Sequence, residues 1–236
     1  MSNPYFRFKQ FTVYHDRCAM KVGTDGVLLG AWCNVDGCKE IVDAGTGSGL
    51  IAMMLAQRSC ANITGVEIDG SASGQALANV ELSPFAGLVR IVHASFLEFA
   101  KENAGKYDLI VSNPPYFIDA LKSDDTARSL ARHTGEMDYE GLIDSSCRLL
   151  SAAGRLALIL PYDRFDFFSR LAVGYGLSLC RKTLVYPKSG ALPKRVLMEW
   201  GQAVCDCIET SLIVEIGRHV YSEDFKLLTR DFYLDK

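Results

Sequence analysis

The chain is short of the features that mark membrane and exported proteins. Its longest stretch without a charged residue, Ala44 to Gln57, covers 14 residues, against the roughly 20 that a membrane-spanning helix needs. From Met1 to Phe11 there is no apolar run of the kind a secretory leader carries, so a cytoplasmic location is expected. Histidine is scarce, with 4 isolated residues, and the 8 cysteines form no Cys-x-x-Cys pair. That spacing implies no metal site. In a reducing compartment the thiols are expected to stay free and to serve as small apolar fillers. Low-complexity tracts and internal repeats are also absent, which excludes fibrous and solenoid architectures.

What is present fits one large domain: 236 residues, 49% hydrophobic and 22% charged. The net charge of −3 is unevenly spread. Residues 1–22 carry Arg7, Lys9, Arg17 and Lys21 against Asp16, a net of +3, and residues 181–195 carry five cations and no acid. The rest of the chain therefore holds −11. Two basic segments on an acidic body suit local docking of a polyanion.

Short apolar runs alternate with helical patterns. Strands are expected at 40–44, 62–67, 88–92, 107–112, 155–160, 178–186 and 195–200, and helices at 50–58, 71–82, 139–150 and 165–173. Such alternation predicts an α/β fold with a mostly parallel sheet and helices on both faces. Phe6 to Tyr14 reads as a further strand. Thr24 or Asp25 is expected to cap a short helix, and Ser222 to open another.

Two constellations carry chemistry. The first is Asp43-Ala44-Gly45-Thr46-Gly47-Ser48-Gly49-Leu50, between a strand and a helix, with Glu67 at the end of the next strand. Glycines there permit a sharp turn and close approach of a ligand, and the Glu67 carboxylate can accept from both hydroxyls of a ribose. A dinucleotide site would read Gly-x-Gly-x-x-Gly, but the third glycine is displaced by one residue. Asp43, a carboxylate before the turn, suits a cationic ligand better than a pyrophosphate. S-adenosyl-L-methionine is thus favoured over a nicotinamide cofactor.

The second constellation is Asn113-Pro114-Pro115-Tyr116, directly after the strand at 107–112. It fits an amine attached to a planar π-system. The Asn113 side-chain carbonyl and the Pro114 backbone carbonyl can each accept one N–H, aiming the nitrogen and drawing its lone pair out of conjugation. Proline pre-sets the second acceptor, and Tyr116 offers a stacking face.

Both constellations resemble the class I S-adenosylmethionine-dependent methyltransferases that act on amino groups, an order shared by RNA and by protein glutamine methyltransferases. The string His15-Asp16-Arg17-Cys18-Ala19-Met20-Lys21-Val22-Gly23-Thr24-Asp25-Gly26 resembles the bacterial valine-tRNA adenine-N6 methyltransferases more narrowly. The likeness continues through Leu55 to Arg58, Asn79 with Ser83-Pro84, and Leu192 to Leu197.

That resemblance implies a Rossmann-like core of seven strands over 36–236, the last antiparallel, with residues 1–35 capping the cofactor site. It places Lys21, Thr24, Asp43, Gly45, Thr46, Gly47, Gly49, Glu67, Ile68, Ser95 and Phe96 at the cofactor. Where that family has an aspartate facing the adenine, this chain has Ser95, which lacks the charge; Phe96 is expected to offset this by packing on the ring. Asn113 to Tyr116 would hold the target base, and Phe117, Lys122, Arg128, Arg132, His133, Lys194 and Arg195 would contact a tRNA substrate. No dedicated base is expected. The chain is expected to act as a monomer or weak homodimer. The rival readings are guanine-N2 methylation of ribosomal RNA, glutamine methylation of a protein, and an RNA-binding assembly factor with a vestigial site.

Overall fold

A computed structural model describes residues 3–114 and 138–234. A nine-stranded sheet organises the chain. In chain order, β3 (Glu40–Ala44), β4 (Asn62–Glu67), β5 (Val89–His93), β6 (Tyr107–Ser112), β7 (Leu150–Pro161), β8 (Ser178–Lys188), β9 (Arg195–Gly201), β10 (Ile208–Gly217) and β11 (Val220–Tyr221) lie side by side as β11-β10-β8-β9-β7-β6-β3-β4-β5. The first seven of these form the expected core, and β9 runs antiparallel to both its neighbours, β7 and β8.

The expected count of seven is corrected to nine. β10 adds parallel to β8, and β11 adds to β10. The first four residues of β10, from Ile208 to Ser211, are all exposed, so the segment shows no buried run that would announce a strand.

Alternating side chains feed two apolar layers, one on each face of the sheet. Ile41, Leu109, Val111, Ala157, Ile159 and Leu197 face one layer with α1 (Thr24–Trp32) and α2 (Leu50–Arg58). Val42, Ile110, Leu156, Leu158, Leu160, Val196 and Met198 face the other. That second layer is covered by α4 (Phe96–Glu102), α5 (Tyr139–Leu149) and α6 (Phe165–Gly174). α3 (Gly70–Glu81) flanks the β4 and β5 edge. α7 (Glu223–Thr229) starts at Ser222, whose hydroxyl accepts from the Phe225 amide at 3.0 Å, as its sequence predicts.

The N-terminal segment forms a hairpin rather than one strand: β1 (Tyr5–Arg7) and β2 (Thr12–Tyr14) pair antiparallel, closed by the Phe8 amide donating to the Phe11 carbonyl at 2.8 Å. The N-cap of α1 is Gly23, not Thr24 or Asp25. Asp25 instead pairs with Arg195 on β9.

The expectation of eight free thiols is corrected as well. Cys180 on β8 and Cys205, just before β10, are joined by a disulfide. Cys33 is the buried filler the sequence suggests, while Cys60 and Cys207 are exposed. No helix among the described residues is long and apolar enough to cross a membrane.

Candidate active site

The C-terminal ends of β3, β4 and β6 converge, since β3 pairs in parallel with both others. This is the edge at which open α/β sheets bind ligands. At the end of β3 the chain turns through Gly45, Gly47 and Gly49, with φ of 72°, 55° and 81°. All three lie in the left-handed region, which accounts for the Gly-x-Gly-x-Gly spacing. A Cβ built on Gly47 would meet nothing within 4 Å, so this backbone faces open space.

Asp43 is fully buried beneath the turn. Its Oδ2 accepts from Thr46 Oγ1 at 2.6 Å and from the Ala52 amide at 3.1 Å, fastening the turn to the first residues of α2. Its Oδ1 is buried without a partner. Burial pushes this carboxyl up to about 7, although the two donated bonds favour the ionised form. Glu67, at the end of β4, accepts from the Gly47 amide at 2.9 Å and from the Asp69 amide at 2.9 Å. Ile68 beside it is 46% exposed.

Asn113 follows β6. The register pairs Asp43 with Val111, two residues earlier, and Ser112 Oγ donates to the Ala44 carbonyl at 2.9 Å. The two loops are therefore stitched together at their roots. Like Asp43 Oδ1, the Asn113 Oδ1 acceptor is buried and unpartnered. Other buried side-chain atoms among the described residues also lack hydrogen-bond partners, Gln75 Oε1 and Glu199 Oε1 among them; what sets these two apart is that both are acceptors at the C-terminal ends of adjacent parallel strands, the edge where donors from a ligand can arrive.

Ser95 is the N-cap of α4, and its side chain makes no capping bond. Phe96 is only 4% exposed and belongs to the apolar layer that includes Val42, Ala44 and Val66. Lys21, ahead of α1, and Thr24, its first residue, are exposed. Pro115, Tyr116, Phe117, Lys122, Arg128, Arg132 and His133 lie outside the described residues.

The basic segment at 181–195 is less available than its charge suggests. Arg181 binds Glu199 at 3.0 Å and lies 3.6 Å over the Trp32 ring, and Lys182 binds Glu209 at 2.8 Å. Arg195 Nε donates to Asp25 Oδ2 at 2.8 Å, tying β9 to α1. Lys188 and Lys194 are exposed. Among the described residues no group of three or more His, Cys, Asp or Glu is placed to hold a metal ion.

Asn79 holds the site together although the sequence assigns it no role. Fully buried on α3, it accepts from the Tyr14 amide at 3.0 Å and donates to the Tyr14 and Ser48 carbonyls at 2.8 Å each. The N-terminal hairpin is thereby bolted to the glycine turn. A lone asparagine in a helical pattern reads as a surface residue; only the fold reveals that it serves three backbone groups.

This donor set fits S-adenosylmethionine: an unpartnered buried carboxylate oxygen for its cationic end, a carboxylate on the next strand for ribose hydroxyls, and an open glycine turn between them. The fold and the site together are those of a class I methyltransferase. An O-methyltransferase described as predicted, from Agrobacterium tumefaciens, superposes with a TM-score of 0.68 at 20% identity, covering 88% of this chain and 96% of its own. P. horikoshii TYW2 in complex with MeSAdo superposes with a TM-score of 0.59 at 12% identity, over 86% and 73%. The family described as Methyltransferase small domain matches residues 23–160. Full-length similarity is closer still. Proteins named tRNA1(Val) (adenine(37)-N6)-methyltransferase from Parabacteroides distasonis and Bacteroides fragilis are 49% and 48% identical, each covered over 99% of both chains. One from Trichodesmium erythraeum is 44% identical over 99% of both. The chain belongs to this family of S-adenosylmethionine-dependent methyltransferases.

Proposed function

We propose that this protein methylates the exocyclic N6 amine of an adenine in tRNA, the substrate being position 37 of valine tRNA as in the names its relatives carry. The observation that carries the reading is the pair of unpartnered acceptors, Asp43 Oδ1 and Asn113 Oδ1, on strand ends joined through Ser112. S-adenosylmethionine, when bound, supplies a sulfonium methyl open to in-line attack. Asp43 complements the positive charge of that ligand, and Glu67 takes its ribose. Ser95, and Phe96 through its buried ring, support the adenine end. Lys21 and Thr24 roof the pocket from the N-terminal 35 residues, and residues 36–236 form the core.

On the substrate side Asn113 Oδ1 and the Pro114 carbonyl accept the two N–H groups of the target amine. That removes the nitrogen lone pair from the ring and points it at the methyl group; orientation of this kind is a large contribution to a two-substrate transfer. The methylated amine sheds its proton to water without a dedicated base. The target must leave its stack to enter, which costs a few kcal/mol and is cheapest in a loop. Lys194 contacts the RNA backbone; Arg195 acts indirectly, through its hold on Asp25.

A transfer assay with labelled S-adenosylmethionine, offered unmodified tRNA, ribosomal RNA and a protein extract in parallel, tests the assignment. Chromatography of the nuclease digest should return the label as N6-methyladenosine from tRNA. Label in guanine or glutamine would overturn the substrate while leaving the fold and donor intact.

A further inference from the structure

The outward face of the N-terminal hairpin takes no part in the site so far described. In the β1–β2 register Tyr5 sits opposite Tyr14, Phe6 opposite Val13, and Arg7 opposite Thr12. Alternation buries Val13 completely and turns Phe6 towards Phe8 and Tyr233. Tyr5, Arg7, Thr12 and Tyr14 are left on the other face. There the Tyr5 and Tyr14 rings are 41% and 39% exposed, with centroids 5.7 Å apart. Arg7 lies on that face and is exposed, and Arg17, also exposed, follows three residues after β2, in the segment of residues 1–22 that carries a net +3.

A two-stranded ribbon of three-residue strands is not stable alone. This one is fixed from beneath by Asn79 and by the Lys9 amide, which donates to the Phe232 carbonyl at 2.8 Å. The Phe8 ring stacks on Tyr233, with centroids 6.0 Å apart. The backbone that carries the two rings is thus fixed, and it is joined to the site: the Tyr14 carbonyl and the Ser48 carbonyl of the glycine turn share Asn79 as donor. Burial pushes the Cys18 thiol up, and the nearby Glu67 and Asp69 carboxylates push it further.

Resting on the RNA substrate proposed above, we infer that the outer face of this hairpin is a stacking platform for unpaired nucleotides next to the target adenosine. Tyr5 and Tyr14 offer ring faces to bases, and Arg7 and Arg17 meet the phosphates. Rigid exposed aromatics interleaved with cations suit single-stranded RNA, whose bases present free faces along a charged backbone. A neutral partner surface would leave the +3 charge unused.

The test is binding of an unmodified tRNA transcript, with kcat and KM for transfer and calorimetric affinity for S-adenosylmethionine measured alongside. Tyr5→Ala/Tyr14→Ala should weaken RNA binding and raise the RNA KM by about tenfold or more. Its kcat at saturating RNA and its donor affinity should stay within about twofold. Tyr5→Phe/Tyr14→Phe keeps both rings and should match the parent. Arg7→Gln/Arg17→Gln should flatten the dependence of log K on log salt by between one and two, about what losing two phosphate contacts gives. RNA binding unchanged in the alanine variant, or lost equally in the phenylalanine variant, would overturn the platform. A parent protein that binds tRNA but labels something other than adenine N6 breaks the functional reading and leaves the platform standing. A parent that binds no tRNA overturns both.

Discussion

Asp43 is the residue whose chemistry depends most sharply on its surroundings. Burial keeps its proton until about pH 7, whereas an unfolded aspartate ionises near its ordinary value of 3.8. Between those two values the folded chain binds more protons than the unfolded one, so stability falls as pH rises from about 4 to 7 and is flat outside that window. Affinity for a cationic ligand moves the opposite way, because the ligand needs the carboxylate. Binding of S-adenosylmethionine should weaken about tenfold from pH 8 to pH 6, since an ionisation at 7 leaves about one site in ten charged at pH 6. Asp43→Asn should bind weakly at every pH and lose this slope. Calorimetry across the range checks it, and a parent protein with flat affinity would remove Asp43 from the donor site.

Among the elements, the consequential joint is between the hairpin and the glycine turn. Asn79→Asp keeps the acceptor for the Tyr14 amide but gives up both donated bonds, to Tyr14 and Ser48. At about 1 kcal/mol for each lost bond, donor affinity should fall by about tenfold or more, with kcat much less affected. Asn79→Ala should behave alike without the buried charge. Equal donor affinity in a folded variant would mean the hairpin does not shape the pocket.

The core elements were largely legible: β3, β4, β6 and α2 fall on their expected spans because fully buried strands and a helix with a marked Gly-rich start leave strong local patterns. What the sequence hid is non-local. α4 is short, and its N-terminal Ser95 makes no capping bond. β10 exposes its leading half. Thr24 and Asp25 look like caps, but the Arg195 that claims Asp25 is 170 residues away. The site divides in the same way. The glycine turn, Asp43, Glu67 and Asn113 were readable because backbone conformation and donor chemistry limit which residues can stand there. Asn79 and Ser112 were not, because their partners are backbone groups on other elements.

For the molecule as a whole, the disulfide between Cys180 and Cys205 closes a loop with a sequence separation of 25 around β9. By restricting the unfolded chain it should contribute about 2–4 kcal/mol. Reduction, or Cys205→Ser, should therefore lower the denaturation midpoint without changing donor affinity, since the bond lies at the start of β10 and not at the edge that carries Asp43 and Asn113. Alkylation before and after reduction, followed by mass measurement, counts the thiols. Eight reactive thiols in the denatured, unreduced protein would contradict the bond.

Charge behaves collectively as well. The cation-rich stretch at 181–195 spends Arg181, Lys182 and Arg195 on ion pairs within the fold. What remains exposed on that side is Lys188 and Lys194, while Arg7 on β1 and Arg17 after β2 are exposed in the N-terminal segment. A sequence-level charge count overstates a docking face wherever the fold supplies its own anions.

The division of labour between the two unpartnered acceptors is tested most directly by Asn113→Ala, assayed by single-turnover transfer to tRNA and by calorimetry with S-adenosylmethionine. Loss of at least a thousandfold in transfer rate, with donor affinity within a few-fold of the parent, is the predicted result. It follows from removing an acceptor that matters only when the amine is attacking. Full activity in that variant would contradict the role given to Asn113, and with it the reading of this strand edge as the place where the target amine is held.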